Sequence, residues 1–193
     1  MMADERSWKV YATGAGLLLV IVSAIFIFVG TVSPNWMTVS PNTVTEIYHG
    51  LFESCQTQIG LPTTCEQFVW GNQLSGTGPY KIRVVQGFAV LSSLVALGVI
   101  ITVIVAALYC CHRFEFWEMF EIDNLTLALD VAIGIMVLFA SISSITFLSI
   151  HEELELYPQS TVSWCPGLLM AGWCIAAVAR AGTRFFCSNF TDD

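Results

Sequence analysis

Residues 49–65 read HGLFESCQTQIGLPTTC, a polar stretch with two cysteines, Cys55 and Cys65, that are separated by nine residues. The stretch interrupts a chain that is otherwise rich in long apolar runs. A matched pair of thiols in such a place raises two questions: which compartment the stretch occupies, and what it does there. The composition and the flanking apolar runs answer the first question.

The composition is that of an integral membrane protein. The 193 residues are 55% hydrophobic and only 11% charged, and the mean hydropathy is +0.71, whereas soluble domains carry about 25% charged residues. The formal net charge of −8, from 7 basic and 15 acidic side chains, lacks the basic footprint that nucleic-acid binding needs. Nucleic acid is therefore excluded as a partner, and membrane lipid is expected.

Four apolar runs predict four transmembrane helices in a single domain, 1–193, because a helix needs about 20 apolar residues to cross a bilayer. The predicted spans are residues 10–32, 84–111, 125–150 and 162–179. The fourth contains Pro166, which a helix tolerates near its start. The first is longer than the core of a signal peptide, about 7–15 residues, so we expect it to remain. The segments outside the spans include 33–83, 112–124, 151–161 and 180–193.

Positively charged residues predict the orientation of the spans, since Lys and Arg are retained on the cytoplasmic side. The N-terminus, segment 112–124 and segment 180–193 together carry five basic residues, whereas segment 33–83 carries two and segment 151–161 none. The sequence thus predicts a multi-pass plasma-membrane protein with both termini in the cytoplasm. Segments 33–83 and 151–161 are then extracellular.

This orientation sorts the cysteines by compartment. Cys55 and Cys65 lie outside the cell, where disulfides persist, so they are disulfide candidates, with two free thiols as the alternative. Cys110, Cys111 and Cys187 lie at the cytoplasmic ends of spans. Cysteines beside a membrane are candidates for S-palmitoylation, and free thiols are again the alternative.

Segment 33–83 is long enough to fold by itself. Residues 43–48 and 65–70 are β-branched and aromatic and are bounded by turn formers, which predicts strands, and residues 71–79 are typical of an irregular loop. Because an isolated hairpin is marginally stable in water, a sheet here needs three or more strands. We therefore expect a small extracellular antiparallel β-sheet above an all-α membrane bundle.

The segment also carries a spaced motif. In order, it contains Trp36, Gly50-Leu51-Phe52, Cys55, Cys65 and Arg83. This pattern resembles the W…GLW…C…C signature, with its following arginine, of the claudin superfamily, which also includes peripheral-myelin-type proteins and calcium-channel γ-like accessory subunits. The resemblance covers nearly the whole chain and implies a left-handed bundle of four transmembrane helices.

The resemblance also implies roles for single residues. Trp36 and Gly50-Leu51-Phe52 are expected to form a cluster that places the sheet on the bundle, with Phe52 as an aromatic plug where the family has tryptophan. For Trp36, a place in the interfacial aromatic belt is a second interpretation, which is compatible with the first. Glu66 follows the second cysteine directly, as an acidic residue does in cation-selective members, and it and Glu53 are candidates for a cation pore. A solvated surface charge is the alternative.

The implied function is action at cell–cell junctions, in adhesion and in a paracellular barrier or cation-selective path. The expected partners are the protein itself or related four-span proteins in the same or the opposing membrane. The alternative is an accessory subunit that regulates an ion channel or a receptor in its own membrane. The chain ends in Asp193, so a PDZ scaffold is not expected to bind the C-terminus.

Enzymatic and metal chemistry find no matching pattern in the sequence. The three histidines are scattered, no nucleophile is spaced from a base, and no glycine-rich phosphate loop is present. We therefore expect no enzyme activity, no metal and no cofactor. Asp130 lies early in the third span, where an unpaired carboxylate is costly, and we expect it to reach the cytoplasmic interface or to pair with Arg113 or Arg180.

Overall fold

The computed structural model describes residues 2–41, 43–67, 78–112, 122–153 and 160–188, with side chains over 14–41, 43–67, 80–105, 127–150 and 161–181. Its helices are α1 (Met2–Val32), α2 (Gly78–His112), α3 (Ile122–Glu153) and α4 (Trp164–Ser188). Each contains a stretch long and apolar enough to cross a membrane: Gly14–Val32, Tyr80–Val105, Leu127–Ile150 and Trp164–Ala181. The prediction of four helices that are long and apolar enough to span a membrane is confirmed.

Local sequence explains where the helices begin and end at the sheet end of the bundle. Pro34 follows the end of α1 and disfavours helical geometry at Ser33. Pro79 is the second residue of α2, where its missing N–H is tolerated. Ser163 precedes α4 and is a residue type that is favoured at helix N-caps.

The four helices form a ring in which α1 packs against α2 and α4, and α3 packs against the same two helices. Small side chains allow close contact between α1 and α4. A Cβ at Gly172 would lie 2.8 Å from Cγ1 of Ile27, and one at Gly30 would lie 3.0 Å from the backbone nitrogen of Leu169. The Ser23 hydroxyl donates a hydrogen bond of 2.7 Å to the carbonyl of Gly172, which is a typical means of joining helices in lipid.

A five-stranded antiparallel sheet caps one end of the bundle within the described residues. Its strands are β1 (Met37–Val39), β2 (Thr45–His49), β3 (Glu53–Gln58), β4 (Thr64–Gln67) and β5 (Ser160–Val162), in the spatial order β4-β3-β2-β1-β5. The predicted strand 43–48 corresponds to β2. The predicted strand 65–70 corresponds in part to β4, and its residues 68–70 lie outside the described residues, as does most of the predicted loop 71–79.

Strand β5 was not predicted, and it changes the topology of the sheet. It comes from the short segment between α3 and α4 and pairs with β1 in the register Met37↔Val162 and Val39↔Ser160. The two segments that the sequence treats as separate therefore share one sheet. As a result, the sheet is connected along the chain to the start of α4 as well as to the end of α1.

Close packing at Gly172 leads to a first prediction. The substitution Gly172→Val should destabilise the protein by about 1–3 kcal/mol, because the added methyl groups meet Ile27 and the backbone of Ser23. The matched control is Gly167→Val in the same helix, where a Cβ has nothing within 4 Å. Thermal unfolding of both variants in detergent, followed by circular dichroism, measures the difference. Equal melting temperatures for the two variants would contradict the packing described here.

Candidate functional site

Trp36 lies where the sheet meets the helices. Its side chain is fully buried, and its indole N–H donates a 2.8 Å hydrogen bond to the carbonyl of Gly30 at the end of α1. Its ring meets Phe147 of α3 edge-to-face, with centroids 4.8 Å apart and an interplanar angle of 80°. Burial of a tryptophan is favourable when the N–H finds an acceptor, as it does here.

The backbone of Trp36 joins two further elements. Its N–H donates to the carbonyl of His49 at the end of β2, over 3.1 Å, and its carbonyl accepts from the N–H of Ser163 just before α4, over 3.1 Å. One residue therefore contacts α1, α3, β2 and the start of α4. Its side chain is thus enclosed by protein.

Gly50 and Leu51 add further contacts between the sheet and the helices. A Cβ at Gly50 would lie 2.6 Å from the Cα of Pro34, so only glycine lets the two backbones approach so closely. Leu51 is 1% exposed, and its carbonyl accepts a hydrogen bond from the side-chain amide of Gln86 in α2. We refer to Trp36, Gly50, Leu51 and Phe147 as the Trp36 cluster.

Phe52, which was expected to belong to the Trp36 cluster as an aromatic plug, lies partly at the surface. Its side chain is 45% exposed. The residue follows Leu51 directly, and the chain direction that buries Leu51 in the bundle leaves Phe52 at the surface. Leu51, rather than the aromatic residue beside it, fills the space under the sheet.

The predicted disulfide is present. Cys55 of β3 and Cys65 of β4 are directly opposite each other in the register, with their Cα atoms 4.0 Å apart and their sulfurs bonded. Because a one-residue slip of a strand moves every side chain to the other face, this bond holds the register of the outermost strand. Cys55 is buried, whereas β4 is exposed along its whole length.

The two candidate pore residues lie on opposite faces of the sheet. Glu66 of β4 is opposite Ser54, and Glu53 of β3 is opposite Gln67. Directly paired residues share a face, and successive residues alternate between faces. Glu53 therefore lies on the face of the disulfide, and the exposed Glu66 lies on the other. The structure does not bring the two carboxylates together.

The pKa values of two residues of β2, His49 and Tyr48, are shifted from their usual values. Burial lowers the pKa of His49, because the charged imidazolium loses its hydration. The neutral ring is then the form that the fold favours, so stability is lost as the pH falls below about 6.5, the pKa of an unfolded histidine. The Tyr48 hydroxyl donates to the Glu46 carboxylate, and this hydrogen bond is the largest cause of a raised Tyr48 pKa.

The remaining predicted site residues are dispersed. Arg83 is exposed on the first turns of α2 and is not part of the Trp36 cluster. The palmitoylation candidates Cys110, Cys111 and Cys187 lie outside the residues whose side chains are described, so their modification stays a prediction. Within the described part of the chain, no group of three or more His, Cys, Asp or Glu side chains is arranged to hold a metal ion.

Asp130 forms an ion pair between spans. Nε of Arg180 in α4 lies 2.8 Å from Oδ1 of Asp130 in α3, and Nη2 lies 3.1 Å from Oδ2. Of the two partners that the sequence suggested, Arg180 is the one observed, and Arg113 lies outside the described residues. Gly134 makes room for the pair, since a Cβ there would lie 2.5 Å from a guanidinium nitrogen.

Sequence reasoning missed Gln86 and Phe147 as partners of the signature residues. Gln86 carried a usable signal, because a polar side chain inside an apolar span is costly unless it is bonded. Phe147 carried no such signal, since it is one of many apolar residues in its span.

A comparison with protein-family models finds no match, and a comparison with curated proteins finds no significant match. Membership of the claudin superfamily therefore stays a proposal that rests on the residues themselves.

The disulfide gives a second prediction. The double substitution of Cys55 and Cys65 by alanine should lower the free energy of unfolding by about 2–3 kcal/mol, because the short loop between them is no longer closed in the unfolded chain. Non-reducing peptide mapping should find the two cysteines joined in the wild type. The control is Cys174→Ala, which removes an exposed free thiol. Recovery of Cys55 and Cys65 as free thiols from membranes would contradict the bond.

The ion pair gives a third prediction. Asp130→Asn or Arg180→Met alone should destabilise the protein by about 1.5–3 kcal/mol, because each leaves a charge in the span without its hydrogen-bonded partner. The double variant should lose less than the sum of the two, as expected for residues in contact. The exposed Arg83→Met serves as the control for removal of a cation. Strictly additive effects would show that the contact contributes nothing.

Proposed function

We propose that this chain is a claudin-like membrane protein of cell–cell contacts that controls the passage of ions between cells. The observation that carries the proposal is the Trp36 cluster together with the disulfide. Residues that are far apart in the sequence, Trp36, Gly50-Leu51 and the Cys55–Cys65 pair, lie in one structural unit at the base and edge of the sheet. In the claudin superfamily, whose signature these residues resemble, they are expected to place the sheet on the bundle.

The sheet is suited to such contact for a mechanical reason. It is held to the bundle by hydrogen bonds from Trp36 and Gln86, by pairing of β5 with β1, and by close backbone contact at Gly50. A rigid platform keeps its surface charges at fixed positions, whereas a mobile loop does not. In our proposal this platform is extracellular and faces neighbouring molecules in the same or the opposing membrane.

Glu66 is the residue we assign to cation preference. It lies on the exposed edge strand β4 next to a disulfide-bonded residue, so its backbone position is fixed. A fixed carboxylate in a narrow aqueous path attracts cations and repels anions. At about 4 Å and an effective dielectric constant of about 20, one charge contributes on the order of 4 kcal/mol before desolvation, and a fraction of this produces a several-fold preference.

This assignment gives a fourth prediction. In an epithelial monolayer that expresses the wild type, dilution potentials should shift toward sodium over chloride, and Glu66→Gln should abolish the shift while keeping the side-chain shape. The matched control is Glu46→Gln, which removes the same charge from the opposite face of the same sheet, as the pairs Glu46↔Thr57 and Ser54↔Glu66 define. The control should leave the sodium preference intact.

The outcomes separate the two candidate functions. Location of the tagged protein at lateral cell borders, with a change in paracellular permeability, supports the proposal. Equal loss in both glutamate variants would contradict the role of Glu66 while leaving cell contact in place. An unchanged permeability, with co-purification of an ion channel or a receptor, would instead identify an accessory subunit.

A further inference from the structure

Three aromatic side chains are exposed at the sheet end of the bundle. Phe52, in the connection between β2 and β3, is 45% exposed; Tyr80, at the start of the apolar stretch of α2, is 73% exposed; and Trp164, the first residue of α4, is 51% exposed. They come from three separate parts of the chain. Each nevertheless lies near the sheet end of an apolar span or beside it.

The position of Phe52 follows from its neighbours. The carbonyl of Leu51, the preceding residue, accepts a hydrogen bond from Gln86, and Gln86 lies six residues into the apolar stretch that begins at Tyr80. Gly50 contacts the backbone of Ser33 and Pro34 at the end of α1. The connection that carries Phe52 therefore lies against the sheet-side ends of α1 and α2, although it belongs to the sheet.

The surroundings of these aromatics indicate what covers them. Exposed apolar side chains continue along the halves of α1 and α2 nearer the sheet, with Val32, Val29 and Phe28 on α1 and Val90, Leu91 and Leu94 on α2. Those faces belong to the stretches that cross the membrane. The exposed aromatics are thus the upper margin of a lipid-facing surface, and this continuity favours phospholipid over a protein partner.

We propose that Phe52, Tyr80 and Trp164 form an interfacial aromatic belt and that Phe52 anchors the sheet directly in the headgroup region of the bilayer. Aromatic rings with this placement are enriched at membrane–water interfaces. Leu51 and Phe52 then divide two tasks between adjacent residues: Leu51 holds the sheet to the helices, and Phe52 holds it to the lipid. The inference does not depend on the proposed role at cell contacts.

The test is photo-crosslinking of the full chain in vesicles of phosphatidylcholine. The photoreactive residue p-benzoylphenylalanine replaces Phe52, and mass spectrometry detects lipid attached to the peptide that contains position 52 after illumination. The matched control carries the same residue at Ile59, which is 76% exposed in the turn after β3. Position 59 is at the far end of that strand, about 20 Å from position 52.

Lipid adducts at position 52 that exceed those at position 59 several-fold are the expected result. The same excess is expected when the photoreactive residue replaces Tyr80 or Trp164. Equal adducts at 52 and 59, or attachment of position 52 to a second copy of the chain instead of lipid, would overturn the proposal.

A second measurement covers the case in which the bulky residue at position 52 prevents folding. The variant Phe52→Trp places a smaller reporter at the same position. In vesicles whose lipids are brominated near the headgroup, its added fluorescence relative to the wild type should be quenched, and aqueous iodide should quench it little. Strong quenching by iodide without quenching by the brominated lipid would overturn the proposal.

Discussion

Trp36 connects the sheet to the helices through its ring and through its backbone. A fully enclosed indole at the end of a transmembrane helix is favourable only if its polar groups are bonded, and here the N–H of the ring, the backbone N–H and the backbone carbonyl all have partners. Those partners belong to α1, to β2 and to the residue before α4. The tryptophan thus holds the sheet and the bundle in one arrangement, and its contact with Phe147 adds α3.

The sheet gains its rigidity from constraints at several edges rather than from its size. Its strands are short, three to six residues, and such strands are weak in isolation. The bond between Cys55 and Cys65 holds β4, the pairing of β5 with β1 holds the opposite edge, and Gly50 permits the backbone contact beneath. The fixed register places the carboxylates of Glu66 and Glu53 on opposite faces of the sheet.

The helices are joined by contacts that suit an apolar solvent. Close backbone approach at Gly30 and Gly172, and the Ser23 hydroxyl on a backbone carbonyl, replace the hydrophobic driving force that lipid does not supply. The ion pair of Asp130 and Arg180 adds a directional link between α3 and α4. The sheet therefore stands on a bundle whose own helix contacts are specific.

The four spans, the sheet segment and the pair of cysteines could be predicted from the sequence, because each follows from local composition or from spacing. An apolar run long enough to cross a bilayer predicts a span, and a β-branched run between turn formers predicts a strand.

Other features depend on contacts between residues that are distant in the chain. Strand β5 is too short to carry a periodic signal, and it exists because β1 offers it an edge. Arg180 was one of two basic residues within reach of Asp130 by sequence, and only the packing of α4 against α3 selects it. The sequence identified Phe52 as aromatic, but the tertiary structure decided its exposure, because Leu51 already fills the space beneath the sheet.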